Sequence, residues 1–240
     1  MRLIPTLLFL TFGLSAVLAQ DPKAGAPAPM SEEVRKMLLE ARDLRVKQRY
    51  EEALEKLDAI EKIAPNLADL YALRGDIHLA PRRRDFDMAL QQFEKAAQLQ
   101  PGSPLPQFNL AEFYFVKHDF ATALERFTKL TTDFPKLPMV IRHLVHYRRV
   151  LCELKLGHRP AAEQIIADQF TFMDDTPAYY FSKAALAFDT GNQAGASDWI
   201  KRGLQAFKPG DCEAYYDAFK ELRWVPDMDF APEAAAPKKP

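Results

Sequence analysis

Apolar residues recur three and four positions apart in paired blocks along most of the chain, and the sharpest pair lies in 104–137. Leu110, Ala111 and Tyr114 share one face of a helix, and Ala123, Phe127 and Leu130 share one face of a second. The polar stretch Lys117-His118-Asp119 breaks the rhythm between them, and Pro135, which cannot supply an interior helical N–H, ends the second helix. Ala111 and Ala123 are small enough for two backbones to approach, and Tyr114 and Phe127 fill the space beside them. A hairpin of this kind cannot bury its apolar face alone, so one copy predicts more.

The spacing Leu110-Ala111-x-x-Tyr114, Ala123-x-x-x-Phe127 and Pro135 resembles a tetratricopeptide repeat, with Ala111 where Gly is commoner and Gln107 where Trp is. Weaker copies flank it. Repeat one, about 34–67, carries Ala41, Leu44, Tyr50, Ala53, Leu57 and Pro65, with Glu40 in place of the usual Leu. Repeat two, about 68–103, carries Tyr71, Gly75, Phe86, Ala89, Phe93, Ala96 and Pro101. Two extra residues lie between its helices, where Pro81 precedes Arg82-Arg83-Arg84; that run is either a contact for anions or a solvated loop. Repeat four, about 138–176, starts with a long amphipathic helix through Val140, Leu144, Tyr147, Leu151 and Leu154, lengthened at its start by about one turn. Repeat five, about 177–208, carries Ala184, Ala187, Gly191, Ala196, Ile200 and Leu204. A final helix over 211–223 is expected to cap the last apolar face. The resemblance implies an all-α, right-handed α-solenoid of about five helix-turn-helix hairpins plus this capping helix, a domain spanning 31–223.

The ends read differently. Residues 1–19 carry Arg2, an uncharged apolar run and the small-residue pair Val17 and Ala19, which predicts a secretory signal peptide cleaved after Ala19. Residues 20–30 read as a Pro/Ala/Gly-rich flexible linker, Ser31 as a helix N-cap, and 224–240 as a disordered Pro/Ala-rich tail. The expected localisation is therefore exported, periplasmic or secreted, with no membrane insertion after cleavage. Only 9 Gly argue against a sheet-rich fold, and a formal net charge of −1 gives no basic field for nucleic acid.

Candidate chemistry is sparse. His143 and His146 stand three apart on one predicted helix, without the four-residue spacing and adjacent Glu of a metalloprotease helix, so no metal and no cofactor are expected. Cys152 and Cys212 would share an oxidising compartment, but two helices of repeat five should separate them, so a bridge is not expected. No Ser-His-Asp set and no phosphate-cradling Gly loop can be assembled. Tyr179-Tyr180 and Tyr215-Tyr216 read as packing residues.

The resemblance further implies that the first helices of successive repeats line a concave groove. By position, repeat one offers Arg35, Leu38, Arg42 and Arg45; repeat two Asp69, Ala72, Asp76 and Leu79; repeat three Leu105, Phe108, Glu112 and Phe115. Repeat five offers Phe181, Ala185 and Phe188. Repeat four offers Arg142, His146 and Arg149 in one register, or Arg148, Cys152 and Lys155 in another. Phe108 and Phe115, like Phe181 and Phe188, fall two turns apart and outside the hairpin's packing positions, which suggests apolar anchors flanked by cations, or else aromatics that pack on neighbouring helices. The clamp that relatives use for acidic chaperone tails is not expected: Asn109 fits one of its positions, but Leu38 and Arg42 replace its first-repeat Lys and Asn. The leading expectation is a non-enzymatic envelope adaptor that binds a protein or peptide partner. Its rivals are a self-associating structural subunit, a possible homo-oligomer, and a metal-dependent enzyme built on His143 and His146.

Overall fold

The computed structural model describes residues 30–225, so the signal peptide expected over 1–19, all of the linker but Met30 and all of the tail but Trp224 and Val225 lie outside the described residues. Among these, eleven helices and no strand occur. Five antiparallel hairpins follow one another: α1 (Glu32–Val46) with α2 (Tyr50–Ile63), α3 (Ala68–Leu79) with α4 (Phe86–Leu99), α5 (Pro104–Val116) with α6 (Phe120–Asp133), α7 (Met139–Lys155) with α8 (Arg159–Gln169), and α9 (Ala178–Asp189) with α10 (Gln193–Ala206). Helix α11 (Pro209–Glu221) comes last. Each hairpin packs on the next, giving the all-α helical-repeat fold the spacing predicts. The Ser31 hydroxyl accepts from Val34 N at 3.2 Å, so α1 starts with the expected cap.

One local device sets the register of every repeat. The turn after each first helix contains a residue of positive φ: Gln48, Arg84, His118, Gly157 and Gly191. At Gly157 and Gly191 the φ values of 80° and 73° suit a residue without Cβ. Five residues on from each stands a fully buried alanine: Ala53, Ala89, Ala123, Ala162 and Ala196. Four further on stands the residue that fills the hairpin: Leu57, Phe93, Phe127, Ile166 and Ile200, all buried. In three repeats the residue next to the positive-φ position caps the second helix, with Asp85, Asp119 and Asn192 accepting from Met88 N, Thr122 N and Gly195 N. Glu40, the departure in repeat one, pairs with Lys56 across its hairpin, so an ion pair replaces the missing apolar contact.

The apolar interior forms two large clusters, one over α1–α3 and one running from α5 to α11, joined by a smaller one around Phe93 and Phe113. Gly75 lies in that joint. A Cβ there would stand 2.8 Å from Phe93 Cε1, and the Phe93 ring is wedged edge-on against Phe113 at 6.3 Å. Gly75→Ala should therefore destabilise by about 1–2 kcal/mol: overpacking of this kind outweighs the roughly 1 kcal/mol by which Ala is the better helix former. A urea titration that shows stabilisation instead would mean that the Phe93 ring is free to give way.

Candidate partner-binding groove

Two pairs of successive first helices are tied side by side through ion pairs on the face they share. Arg42 lies 3.8 Å from Asp69, and Arg45 donates to Asp76 at 2.8 Å, joining α1 to α3. Arg148 donates to both oxygens of Glu112 at 2.6 and 3.2 Å, joining α7 to α5. Arg42, Arg45 and Arg148, among the cations expected to face an acidic partner, are thus engaged by acids of the same chain. Burial pushes the Asp76 carboxyl upward, and the facing Arg45 and Arg42 oppose that shift.

The aromatic positions are engaged too. Phe108 meets Phe127 of its own hairpin at 5.8 Å, and Phe115 meets Phe120 at 5.7 Å, which corrects the expectation that these rings stand outside the hairpin's packing. Leu38 is buried within the first cluster, Arg35 is exposed beside Glu32, and Leu105 is half-buried. Repeat four needs a second correction. With Gly157 as reference, the equivalents of Phe108, Glu112 and Phe115 are Tyr147, Leu151 and Leu154, and neither basic register holds. Arg142, His146 and Arg149 lie further back along the helix, which is longer at its start than its counterparts.

Phe181 and Phe188 lie under α11. Phe219 of that helix sits 5.8 Å from Phe181, 5.1 Å from Phe188 and 6.1 Å from Tyr147. Tyr215 sits 5.0 Å from Tyr147 and 5.6 Å from Phe181, and Trp224 stacks on Phe188 at 5.4 Å. The Tyr147 hydroxyl donates to the Tyr215 carbonyl at 2.8 Å, and Arg148 donates to the Ala214 carbonyl at 3.2 Å. At the far end Glu221 accepts from Arg84 at 2.8 Å and lies 3.4 Å from His118 Nε2. Helix α11 therefore does more than cover the last repeat. It lies across the first helices of repeats four and five and reaches the turns of repeats two and three.

Residues 215–219 of α11 are buried without interruption, so this helix is enclosed on all sides rather than amphipathic. Its end repeats the turn of the first helices: Arg223 has φ 57°, Arg223 N donates to Lys220 O and Trp224 N to Phe219 O, as His118 N does to Phe115 O and Asp119 N to Tyr114 O. Its C-terminal turn is thus built like theirs. The run Ala214-Tyr-Tyr-Asp-Ala-Phe219, apolar at five of six consecutive positions, carried the signal of an enclosed helix in the sequence. The two thiols are buried and unbridged. Cys212 faces the Gly203 carbonyl at 3.8 Å, and burial raises its thiol to about 12. The separation argument for the missing bridge does not stand, since α11 does reach α7.

The two histidines are both committed locally. His143 Nδ1 lies 2.8 Å from Thr176 Oγ1, with its ring edge-on to Phe170 at 5.3 Å. His146 Nδ1 lies 3.0 Å from Arg149 Nη1, and a guanidinium can only donate, so that nitrogen accepts and the imidazole is neutral. Among the described residues no group of three or more His, Cys, Asp and Glu is placed to hold a metal ion. Burial first, then Arg149, His143 and Arg142, lower His146 to about 4, and burial lowers His143 and His78 as well. In the window from about 6.5 down to 4 the unfolded chain binds a proton at His146 that the folded chain does not, so stability falls with pH there. Between pH 7 and 4.5 we expect His146 alone to cost about 2 kcal/mol. Thermal melts of His146→Gln across this range should be the flatter, and an unchanged slope would show that His146 is not the titrating group.

A model of YpiA-like tetratricopeptide repeats matches residues 86–133, which span α4 to α6. No curated protein matches the sequence. Among solved structures the fold is similar to that of PilW, described as a widely conserved type IV pilus biogenesis factor, with a TM-score of 0.60 and 18% identity over 82% of this chain and 89% of that one. A thermophilic repeat protein from Thermus thermophilus aligns with a TM-score of 0.58 and 19% identity over 79% of this chain and 99% of that one. A tetratricopeptide repeat protein from Parabacteroides merdae aligns with a TM-score of 0.59 and 15% identity over 79% of this chain and 71% of that one. No helix among the described residues is long and apolar enough to cross a membrane.

Proposed function

We propose that this tetratricopeptide repeat protein is a non-enzymatic adaptor of the cell envelope that holds a protein partner along the face shared by its first helices. The observation that carries this is α11: the face takes up a helix and encloses its aromatic side chains. A face that takes up a helix suits scaffolding better than chemistry. The apolar and charged start at 1–19 supports an envelope location, and the likeness to PilW supports an assembly role of that kind.

Because Phe108 and Phe115 are buried, replacing them with alanine would report on stability rather than binding. The test instead places a photo-crosslinking residue in the full chain. Positions 69 and 105, half-buried on the face the first helices share, should capture one defined envelope protein; position 129, on the exposed side of α6, should not. Capture at 129 alone would move the partner to the outer face. Fractionation with and without residues 1–19 checks the location.

A further inference from the structure

Helix α11 is held mainly by features that any helix of similar chemistry would satisfy. Two of the hydrogen bonds from the array, Tyr147 to the Tyr215 carbonyl and Arg148 to the Ala214 carbonyl, address backbone oxygens and read no side chain. Sequence enters at two places. Tyr147, Phe181 and Phe188 form an aromatic socket that takes Tyr215 and Phe219, four apart and so on one helix face. Arg84, with His118 beside it, both in positive-φ turns, clamps Glu221. Helix α11 also leaves this cationic lining incompletely used: Arg84 Nη1 and Arg148 Nη1 are buried with no hydrogen-bond acceptor, although Asp217 of α11 acts on Arg148 through its charge. A buried donor without a partner is costly, so a helix that brought one more carboxylate would be held better than α11.

We propose that this groove is an exchange site, and that the partner supplies an acidic helix, with aromatic residues four apart and a carboxylate two residues beyond, which enters as α11 leaves. This rests on the adaptor reading above for the groove's role and adds the partner's chemistry and its built-in competitor. In the free chain α11 lowers the apparent affinity by the fraction of time it is docked. The short link Phe207-Lys208 keeps it beside the groove when it is out.

The test uses the full chain and a fluorescent peptide of residues 209–225, read by anisotropy. Glu221→Ala in the chain loosens its own helix at the clamp, and Phe219→Ala loosens it at the socket. We expect the unsubstituted peptide to bind either variant at least about tenfold more tightly than the native chain. A peptide with Phe219 and Glu221 both changed to Ala should bind none of them. Circular dichroism checks that the chains are folded, and Glu221→Ala decides the matter if Phe219→Ala is not. Equal binding to all three chains, or none to a folded Glu221→Ala chain, overturns the exchange. If the peptide behaves as expected but crosslinkers at 69 and 105 capture nothing, the adaptor reading fails and the exchange site stands. If they capture a partner while the peptide does not discriminate, the reverse holds.

Discussion

Glu112→Ala should cost about 3–5 kcal/mol of stability, an unusually large loss for a single polar side chain. Glu112 provides both acceptors for the Arg148 head group, which lies between the Phe115 ring at 5.3 Å and the Tyr147 ring at 5.6 Å and is 5% exposed. Without the carboxylate, a buried guanidinium keeps one carbonyl, Ala214 O, to receive its protons, with the Asp217 carboxylate close enough to act through its charge. The cost is that of an unpaired buried charge, not the worth of the pair. Replacing both partners, Glu112→Leu with Arg148→Met, should therefore recover most of the loss. Urea titrations read this as a large shift in midpoint for the single variant and a small one for the double, at similar m-values. A near-neutral single variant would mean that water reaches Arg148.

Much of the array could be read from residues that pack hairpins. The alanine at the close crossing and the bulky residue four further on are the same chemistry in each copy, so Ala53, Ala123 and Ala196 identify their repeats even where the first helix has drifted. The register of repeat four could not be read in this way from its first helix, because its longer start shifts every count made from that end. Counting back from Gly157 resolves it, since the left-handed turn is where the geometry is fixed. The groove was less legible for a different reason. Sequence position gives which residues share a face, but not whether that face meets solvent. Arg45 and Phe188 stand at the expected positions, yet Asp76 neutralises one and α11 covers the other, and both partners are far away along the chain. Glu221 and Arg84 are the extreme case, joined across most of the array.

Phe219→Ala is the second large effect, and its size separates two views of α11. Phe219 is fully buried against Tyr147, Phe181, Phe188 and Trp224, so its deletion should remove about 3–5 kcal/mol of docking. Phe127→Ala, within the α5–α6 hairpin, removes a ring of the same size from the same cluster. If α11 were an inseparable part of the core, the two variants would lower the stability of the whole chain alike. If α11 docks as its own unit, the loss from Phe219→Ala cannot exceed the free energy of docking, because beyond that point the helix leaves and the array stands without it. Adding Tyr215→Ala to Phe219→Ala should then cost the array almost nothing more, whereas adding it to Phe127→Ala should cost its full share. Hydrogen exchange gives the same distinction directly. Amides of α11 should exchange through an opening that leaves α5 to α8 protected, and Phe219→Ala should speed that exchange while leaving theirs unchanged. Exchange of α11 at the rate of global unfolding would make it a fixed wall of the groove, and the partner would have to bind elsewhere.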